Sequence, residues 1–443
     1  MEKVDLNIII PAAGLGSRFT SYGFTQNKFL LPIDAELTKM IEKAITTLTM
    51  KATNLRLKFI FILREEEQNV EVHNLLKEVC SRNNYEHFIH SINYLTEGPA
   101  STAYIVKDII NDDTPLIISN SDQILDWNFQ DFYDCCSKYD GAILTYTPDY
   151  DLVLGEKDKH SFVQFDNSGK PVKFVEKTVI SQEALVGVHY YKTGKLFIKS
   201  YEYLFDNNIR APNGEFYLSY TYQALLNMNY NIGSNKLKIG EHFYPVGEPI
   251  DYFNYYNKQC PIIKYPLCEI DSMKDFSNFS FNFAKSHDKI VVNNKLFILL
   301  SGNTTTNCSI FSSGLNKEIS FFEDSYYILI NLFTVSIFFE IDIKKYTRGW
   351  LIGDFEPCVE RQKHFEVGYL SHEKNSFWNY HYHKESVEIN YLLKGKMIIN
   401  NEEYNETDIF IINKNVISCP LFLQDCTVIC IKLPSMPKDK YII

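Results

Sequence analysis

The stretch "NIIIPAAGLGSRFTSYGFTQNKFLLPI", residues 7–33, runs from a buried-looking strand into a glycine-rich loop. With Leu6 it opens on an apolar β run that reads as a strand buried on both faces. Gly14 and Gly16 follow, then Arg18 and, ten residues further on, Lys28. The glycine spacing is neither G-x-G-x-x-G nor G-x-x-x-x-G-K-[ST]. A loop after the first strand of a parallel sheet lies at the carboxyl edge, where such sheets bind ligands. Gly14 and Gly16 let the backbone turn its amides toward an anion. Arg18 adds a forked cation and Lys28 a point charge from a separate segment. By itself the loop reads equally well as a phosphate cradle and as a plain strand-to-helix turn.

Working outward, "ELTKMIEKAITTL" places Leu37, Met40, Ile41, Ala44, Ile45 and Leu48 on one helical face. "LKFIFIL" (57–63) is a second buried strand, and the next helix carries Val72, Leu75, Leu76 and Val79. "STAYIVKDII" continues the alternation, and "TPLIISNSD" is another apolar strand. This β-α-β-α-β order predicts an α/β fold, a mostly parallel Rossmann-like sheet with helices on both faces. "SFVQFDNSGKPVKFVEK" reads as a hairpin turning at Asn167-Ser168-Gly169. "ALVGVHYY" reads as a strand, and "GEFYLSYTYQALL" leads into a helix. Beyond "PIIKYP" (261–266) short strands with Asn/Gly turns take over, so the second half is expected to be all-β.

The totals bound the partners. At 443 residues the chain exceeds one average domain. A net charge of -11 argues against a nucleic-acid partner, though not against a small anion met by local amides and a cation. Ten cysteines without a C-x-x-C pair, and no signal peptide at Met1, point to reduced thiols and a cytoplasmic location. The run "YYILINLFTVSIFFEI" (326–341) is short for a spanning helix and reads as buried strands, so no membrane association is expected.

Asp122, in "ISNSDQILDW", follows an apolar strand and should project at the same carboxyl edge as the opening loop. A carboxylate beside a phosphate site is what Mg²⁺ requires. Gly98, in "LTEGPASTAY", opens a helix with small residues that suit either close approach of a flat base or ordinary capping. Together with "FVEKTVISQEALVGVHYY", "NGEFYLSYTY" and "YPVGEPIDYF", these stretches resemble the sugar nucleotidylyltransferases, pyrophosphorylase-type enzymes, in the family's order over residues 7 to about 257.

The resemblance implies a nucleotidyltransferase that joins a nucleoside triphosphate to a sugar 1-phosphate or similar phosphorylated molecule and releases pyrophosphate. Such an activity serves surface-glycan or polysaccharide biosynthesis. It further implies that the backbone of Ala13, Gly14, Leu15 and Gly16 cradles the nucleotide phosphates, with Arg18 on the triphosphate and Lys28 on phosphate in the transition state. Gly98 would lie against the base, and Asp122 would bind Mg²⁺. Lys177 would grip the acceptor phosphate, and Glu176, Gly187 and Glu215 would contact the acceptor. One departure stands out. Where many members carry a second metal-binding Asp, this chain has Pro245, and Glu248 and Asp251 are the substitutes at hand.

A second cluster, "NYHYHKESVEINYLLKGKM", holds His381, His383, Glu388 and Gly395 at a spacing that resembles the first cupin motif. His-x-His on a strand points both imidazoles to one side, and a following strand can bring the carboxylate to them. The resemblance covers roughly 346–434 and implies a cupin-like barrel, with Fe²⁺, Mn²⁺ or Zn²⁺ on His381, His383 and Glu388, or a metal-free barrel serving sugar binding or homodimer formation. Ser418 stands where the second motif ends in histidine. The expected domains are 1–258, a β-rich region 259–345, and a cupin-like domain 346–443. A bifunctional transferase with a cupin isomerase or epimerase, and a degenerate nucleotide-sugar-binding regulatory module, remain alternatives.

Overall fold

The computed structural model describes residues 3–65, 69–148, 160–265, 279–306, 309–314, 316–332 and 339–443. It divides into two compact units, Met1–Ile33 with Thr38–Tyr255, and Asp34–Leu37 with Tyr256–Ile443. Pro266, which ends "PIIKYP", and residues 333–338 of the membrane-like run lie outside the described residues. The flanks of that run are strands, Ser325–Asn331 and Phe339–Glu340.

The first unit contains β1 (Leu6–Ala12), β2 (Leu57–Arg64), β3 (Glu86–Ile92), β4 (Leu116–Ser119), β5 (Gln123–Asp126), β6 (Gly141–Tyr146), β7 (Ser161–Phe165), β8 (Pro171–Glu176), β9 (Ala184–Tyr191), β10 (Ile232–Lys236) and β11 (His242–Pro245). The main sheet runs β10-β6-β9-β4-β1-β2-β3. It is parallel throughout except at β9, which is antiparallel to both β4 and β6. The β7–β8 hairpin hangs from β9, and β11 pairs with β5.

The period-2 alternation of the strands divides the core. Ile8 and Ile10 of β1, Phe59 and Phe61 of β2, and Ile117 of β4 meet Ile41, Ile45, Val72 and Leu76 of the helices Met40–Leu48 and Asn69–Arg82. Their neighbours Ile9, Ile60, Ile62, Leu116 and Ile118 turn to the opposite face. There they meet the helices Pro99–Tyr104, Gly194–Asp206 and Leu218–Asn227 through Ala103, Phe197 and Leu225. Leu37, expected on the first helical face, instead sits in a left-handed turn at φ 62°, and the helix begins at Met40.

The second unit is all-β apart from the end of the helix Pro249–Gln259 and short 3₁₀ turns. Its seven-stranded sheet orders Ile263–Tyr265, Ile409–Ile412, Val387–Lys394, Cys426–Leu433, Glu366–His372, Trp350–Gly353 and Glu360–Arg361. One face of this sheet (Val367, Ile389, Tyr391, Ile409, Ile429, Ile431) shares a core with Phe281, Leu296, Ile298 and Ile328 of a five-stranded sheet. The strands between 279 and 340 therefore pack with those that follow 350 as one body. The sheets do not close by hydrogen bonding into a barrel among the described residues.

Close approach of backbone fixes one glycine in the first unit. A Cβ on Gly194 would lie 1.9 Å from the carbonyl oxygen of Ile110, a backbone atom that cannot swing aside. Gly194→Ala should therefore lower stability by about 1–3 kcal/mol. The check is the urea midpoint at constant m-value; an unchanged midpoint would contradict this packing.

Candidate functional site

The loop that follows β1 is open. Gly14 and Leu15 are exposed and Ala13 is buried, while Gly16 takes φ 64°. At that angle glycine avoids the Cβ cost. Arg18 lies one turn on, its side chain 67% exposed, and its Nη1 is 2.9 Å from Glu248 Oε1. Lys28 opens a 3₁₀ turn fixed by Asn27, whose Oδ1 accepts the Phe29 amide at 3.0 Å. Its ammonium reaches back to Asp122 Oδ2 at 2.7 Å.

Asp122 sits in the turn between β4 and β5, and the turn is held from beneath. Gln123 Nε2 donates to Ser119 Oγ at 3.0 Å and to the Gly187 carbonyl at 2.9 Å. The Asn120 amide donates to the same carbonyl at 2.9 Å. A Cβ on Gly187 would meet Asn120 Nδ2 at 2.1 Å, so a larger residue there would push aside the Asn120 side chain of the Asp122 turn. Burial works against ionisation of Asp122, yet Lys28 and then Arg18 outweigh it and hold the carboxyl below its ordinary range. Arg18, Lys28 and Asp122, far apart in sequence, thus form one charged group.

The structure also tests whether Mg²⁺ suits this group. Asp122 remains 29% exposed, and a Cβ on Gly247 would lie only 2.9 Å from its Oδ2. Glycine at 247 therefore keeps the space beside an ionised carboxylate clear. One carboxylate with phosphate oxygens and waters is a fitting Mg²⁺ ligand set. Pro245 offers no carboxylate and pairs with Gln123 in the β11–β5 ladder. Of its two substitutes, Glu248 is engaged with Arg18, and Asp251 lies in the first turn of the helix Pro249–Gln259.

A second group gathers at the end of β8. Glu176 is 4% exposed and accepts hydrogen bonds from the Ser161 hydroxyl and from Ser219 Oγ, the latter at 2.7 Å. Burial raises its carboxyl above the ordinary value despite both bonds. Lys177 adopts φ 57° and lies over the Tyr217 ring, 5.3 Å from its centroid. Burial opposes its charge, but Tyr217, Glu176 and Glu215 outweigh that and hold the ammonium above its usual range. Gly98 joins this group through backbone. The Phe216 amide donates to the Glu97 carbonyl at 2.7 Å and the Ala100 amide to the Phe216 carbonyl at 3.1 Å. At φ 113°, a Cβ on Gly98 would lie 2.6 Å from that same carbonyl oxygen. The glycine needed for the loop is thus explained by its contact with the segment that carries Glu215.

In the second unit His381 and His383 are both buried, their rings 5.7 Å apart and nearly perpendicular. Glu388 Oε1 is 3.1 Å from His383 Nε2, and Ser418 Oγ is 3.5 Å from His381 Nε2. The sequence reading missed Lys432. Its Nζ stands 3.1 Å from Glu388 Oε1 and 3.2 Å from His383 Nε2. The carboxylate and the imidazole expected to hold a metal therefore converge on an ammonium, and the side chains present do not fit Fe²⁺, Mn²⁺ or Zn²⁺ as they stand. Among the described residues no group of three or more His, Cys, Asp or Glu is placed to hold a metal ion. Burial opposes the charge on Glu388, but Lys432 and then His383 hold it well below its usual range. Burial, with Lys440 adding to it, lowers His381 to about 4 and keeps its ring neutral. No helix among the described residues is long and apolar enough to cross a membrane.

No family model matches the chain, and no curated protein matches it. Solved structures resemble its N-terminal part. A nucleoside-diphosphate-sugar pyrophosphorylase from Vibrio cholerae RC9 is 21% identical with a TM-score of 0.47, covering 56% of this chain and 99% of its own. A UDP-glucose pyrophosphorylase complexed with UDP-glucose is 16% identical with a TM-score of 0.44, covering 58% and 98%. An inositol-1-phosphate CTP transferase from T. maritima is 13% identical with a TM-score of 0.42, covering 58% and 96%.

The raised carboxyl of Glu176 has a stability consequence. Ionising it costs free energy in the fold, so the native state loses stability as pH climbs from the ordinary carboxylate range through the raised value. Glu176→Gln keeps an acceptor for both serines and removes that loss. Its thermal midpoint relative to wild type should therefore rise between about pH 4 and pH 7. A difference that stays constant across that range would contradict the assignment.

Proposed function

We propose that the first unit is a nucleotidyltransferase that moves a nucleoside monophosphate from a nucleoside triphosphate to a sugar 1-phosphate, or a similar phosphorylated small molecule, and releases pyrophosphate. The observation that carries this reading is the convergence of Lys28 on Asp122 at 2.7 Å beside Arg18, at the carboxyl edge of a parallel sheet. A structural ion pair alone needs neither the exposed arginine nor the open glycine loop next to it.

The residues divide the work between two anions that repel one another. The Ala13–Gly16 backbone and Arg18 hold the triphosphate, and Lys177 with Glu176 and Glu215 hold the acceptor. A phosphate oxygen of the acceptor attacks the α-phosphorus in line. The bond from that phosphorus to the bridging oxygen breaks, and pyrophosphate leaves with the electron pair. The side chains do no covalent work; they position the reactants and neutralise charge. Mg²⁺, when bound, would be held by Asp122 with phosphate oxygens and would screen the charge on the triphosphate. Lys28 then has phosphate as an alternative partner to Asp122. The facing arrangement of His381, His383, Glu388 and Ser418 supports a cupin-like second unit, in which Lys432 takes the place of a metal.

The test incubates the protein with Mg²⁺, each nucleoside triphosphate in turn and a panel of phosphorylated acceptors, and measures released pyrophosphate. One combination should turn over, and Arg18→Ala should slow it by roughly 10²–10³-fold, the cost of losing a donor to developing charge. The melting curve should be unchanged, because Arg18 is 67% exposed. Nucleotide binding without pyrophosphate release for any combination would overturn the enzyme reading in favour of a binding module.

A further inference from the structure

The second unit holds a half-open cavity of about 590 Å³ between the face of its seven-stranded sheet opposite the shared core and the strands Lys396–Ile399 and Pro420–Phe422. Strand alternation builds it. Ile389, Ile429 and Ile431 face the shared core, while Glu388, Asn390, Cys430 and Lys432 point into the cavity. The volume lies in the range of small-molecule sites.

The polar groups around it are unevenly matched. The single carboxylate in the lining, Glu388, is held by Lys432 and His383. Lys440 and Arg348 also line the cavity and form no ion pair among the described residues. Instead they lie over the Trp378 ring, at 3.6 and 6.0 Å from its centroid. Asn390 is 5% exposed, and its Nδ2 has no hydrogen-bond partner. A buried amide donor left without a partner is destabilising, and an acceptor that the side chain turns to meet would relieve it. The charges in the lining that form no ion pair among the described residues are all positive. Apolar walls from Met397, Ile399, Phe410 and Phe422 complete the lining.

We propose that this cavity binds a small organic anion carrying a phosphate or a carboxylate, with Lys440 and Arg348 on the anionic group and the walls of Met397, Ile399, Phe410 and Phe422 against its body. A neutral sugar leaves both cations unmatched, and a divalent cation meets Lys432 already in its position. The site is separate from the transfer chemistry proposed for the first unit and does not depend on it.

Tryptophan emission tests this locally, because two of the three tryptophans, Trp350 and Trp378, line the cavity. The full chain carrying Trp127→Phe is titrated with a hexose 1-phosphate, a hexuronate, a neutral hexose and Mn²⁺. The expected result is a saturable emission change with the phosphate ester, the hexuronate or both, which also tells the two anions apart. Affinity should fall by about tenfold or more in Lys440→Ala and recover in Lys440→Arg. The melting curves of all variants are compared so that unfolding is not read as lost binding. An equal response to the neutral hexose, a saturable emission change with Mn²⁺ alone, or no response to either anion would each overturn the proposal.

Discussion

The contact on which the first unit's site depends is that of Lys28 with Asp122, 2.7 Å long and spanning 94 positions in sequence. Without the lysine, an acidic side chain at the end of a buried strand would face the carboxyl edge with only Arg18 to balance it. With it, the carboxylate stays ionised, and an ammonium and a carboxylate stand together at the sheet edge beside the open glycine loop. The sheet order makes the contact available: β4 lies beside β1, so the turn after one and the loop after the other share an edge. Gly187 and Gly247 then set the room around the carboxylate, one by admitting the amide of Asn120 beneath it and the other by leaving space at its side.

Much of this was legible from residue types. The apolar runs 6–12, 57–64 and 116–119 alternate between two helical layers as their β-branched and aromatic composition requires. Arg18, Lys28 and Asp122 were legible as a group because each follows a structural punctuation mark at the same sheet edge. The reasons behind the glycines were not legible. Gly98 and Gly187 read as ligand contacts, yet Phe216 backbone requires the first and the Asn120 side chain packs against the second. The antiparallel β9 escaped because a buried antiparallel strand has the same unbroken apolar composition as a parallel one.

The second unit shows a different limit. His381, His383 and Glu388 were brought together as their spacing predicts, but the group that decides their chemistry lies 44 positions beyond Glu388. Lys432 is the penultimate residue of the strand "CTVICIKL", where a single lysine after apolar residues resembles a solvated strand end. Only the pairing of that strand with Val387–Lys394, which sets Glu388 opposite Lys432, shows the ammonium entering the cavity. Period alone gives the two faces of a strand; it does not say which face is the interior when both are covered.

In the proposed function Asp122 is the carboxylate through which a metal and a triphosphate bind together, with Lys28 keeping it ionised beforehand. Isothermal titration of a non-hydrolysable nucleoside triphosphate analogue, with and without Mg²⁺, tests it on wild type and on Asp122→Asn. The account predicts that Mg²⁺ tightens binding to the wild type at least about tenfold and that this gain vanishes in Asp122→Asn. An equal Mg²⁺ gain in both proteins would contradict it.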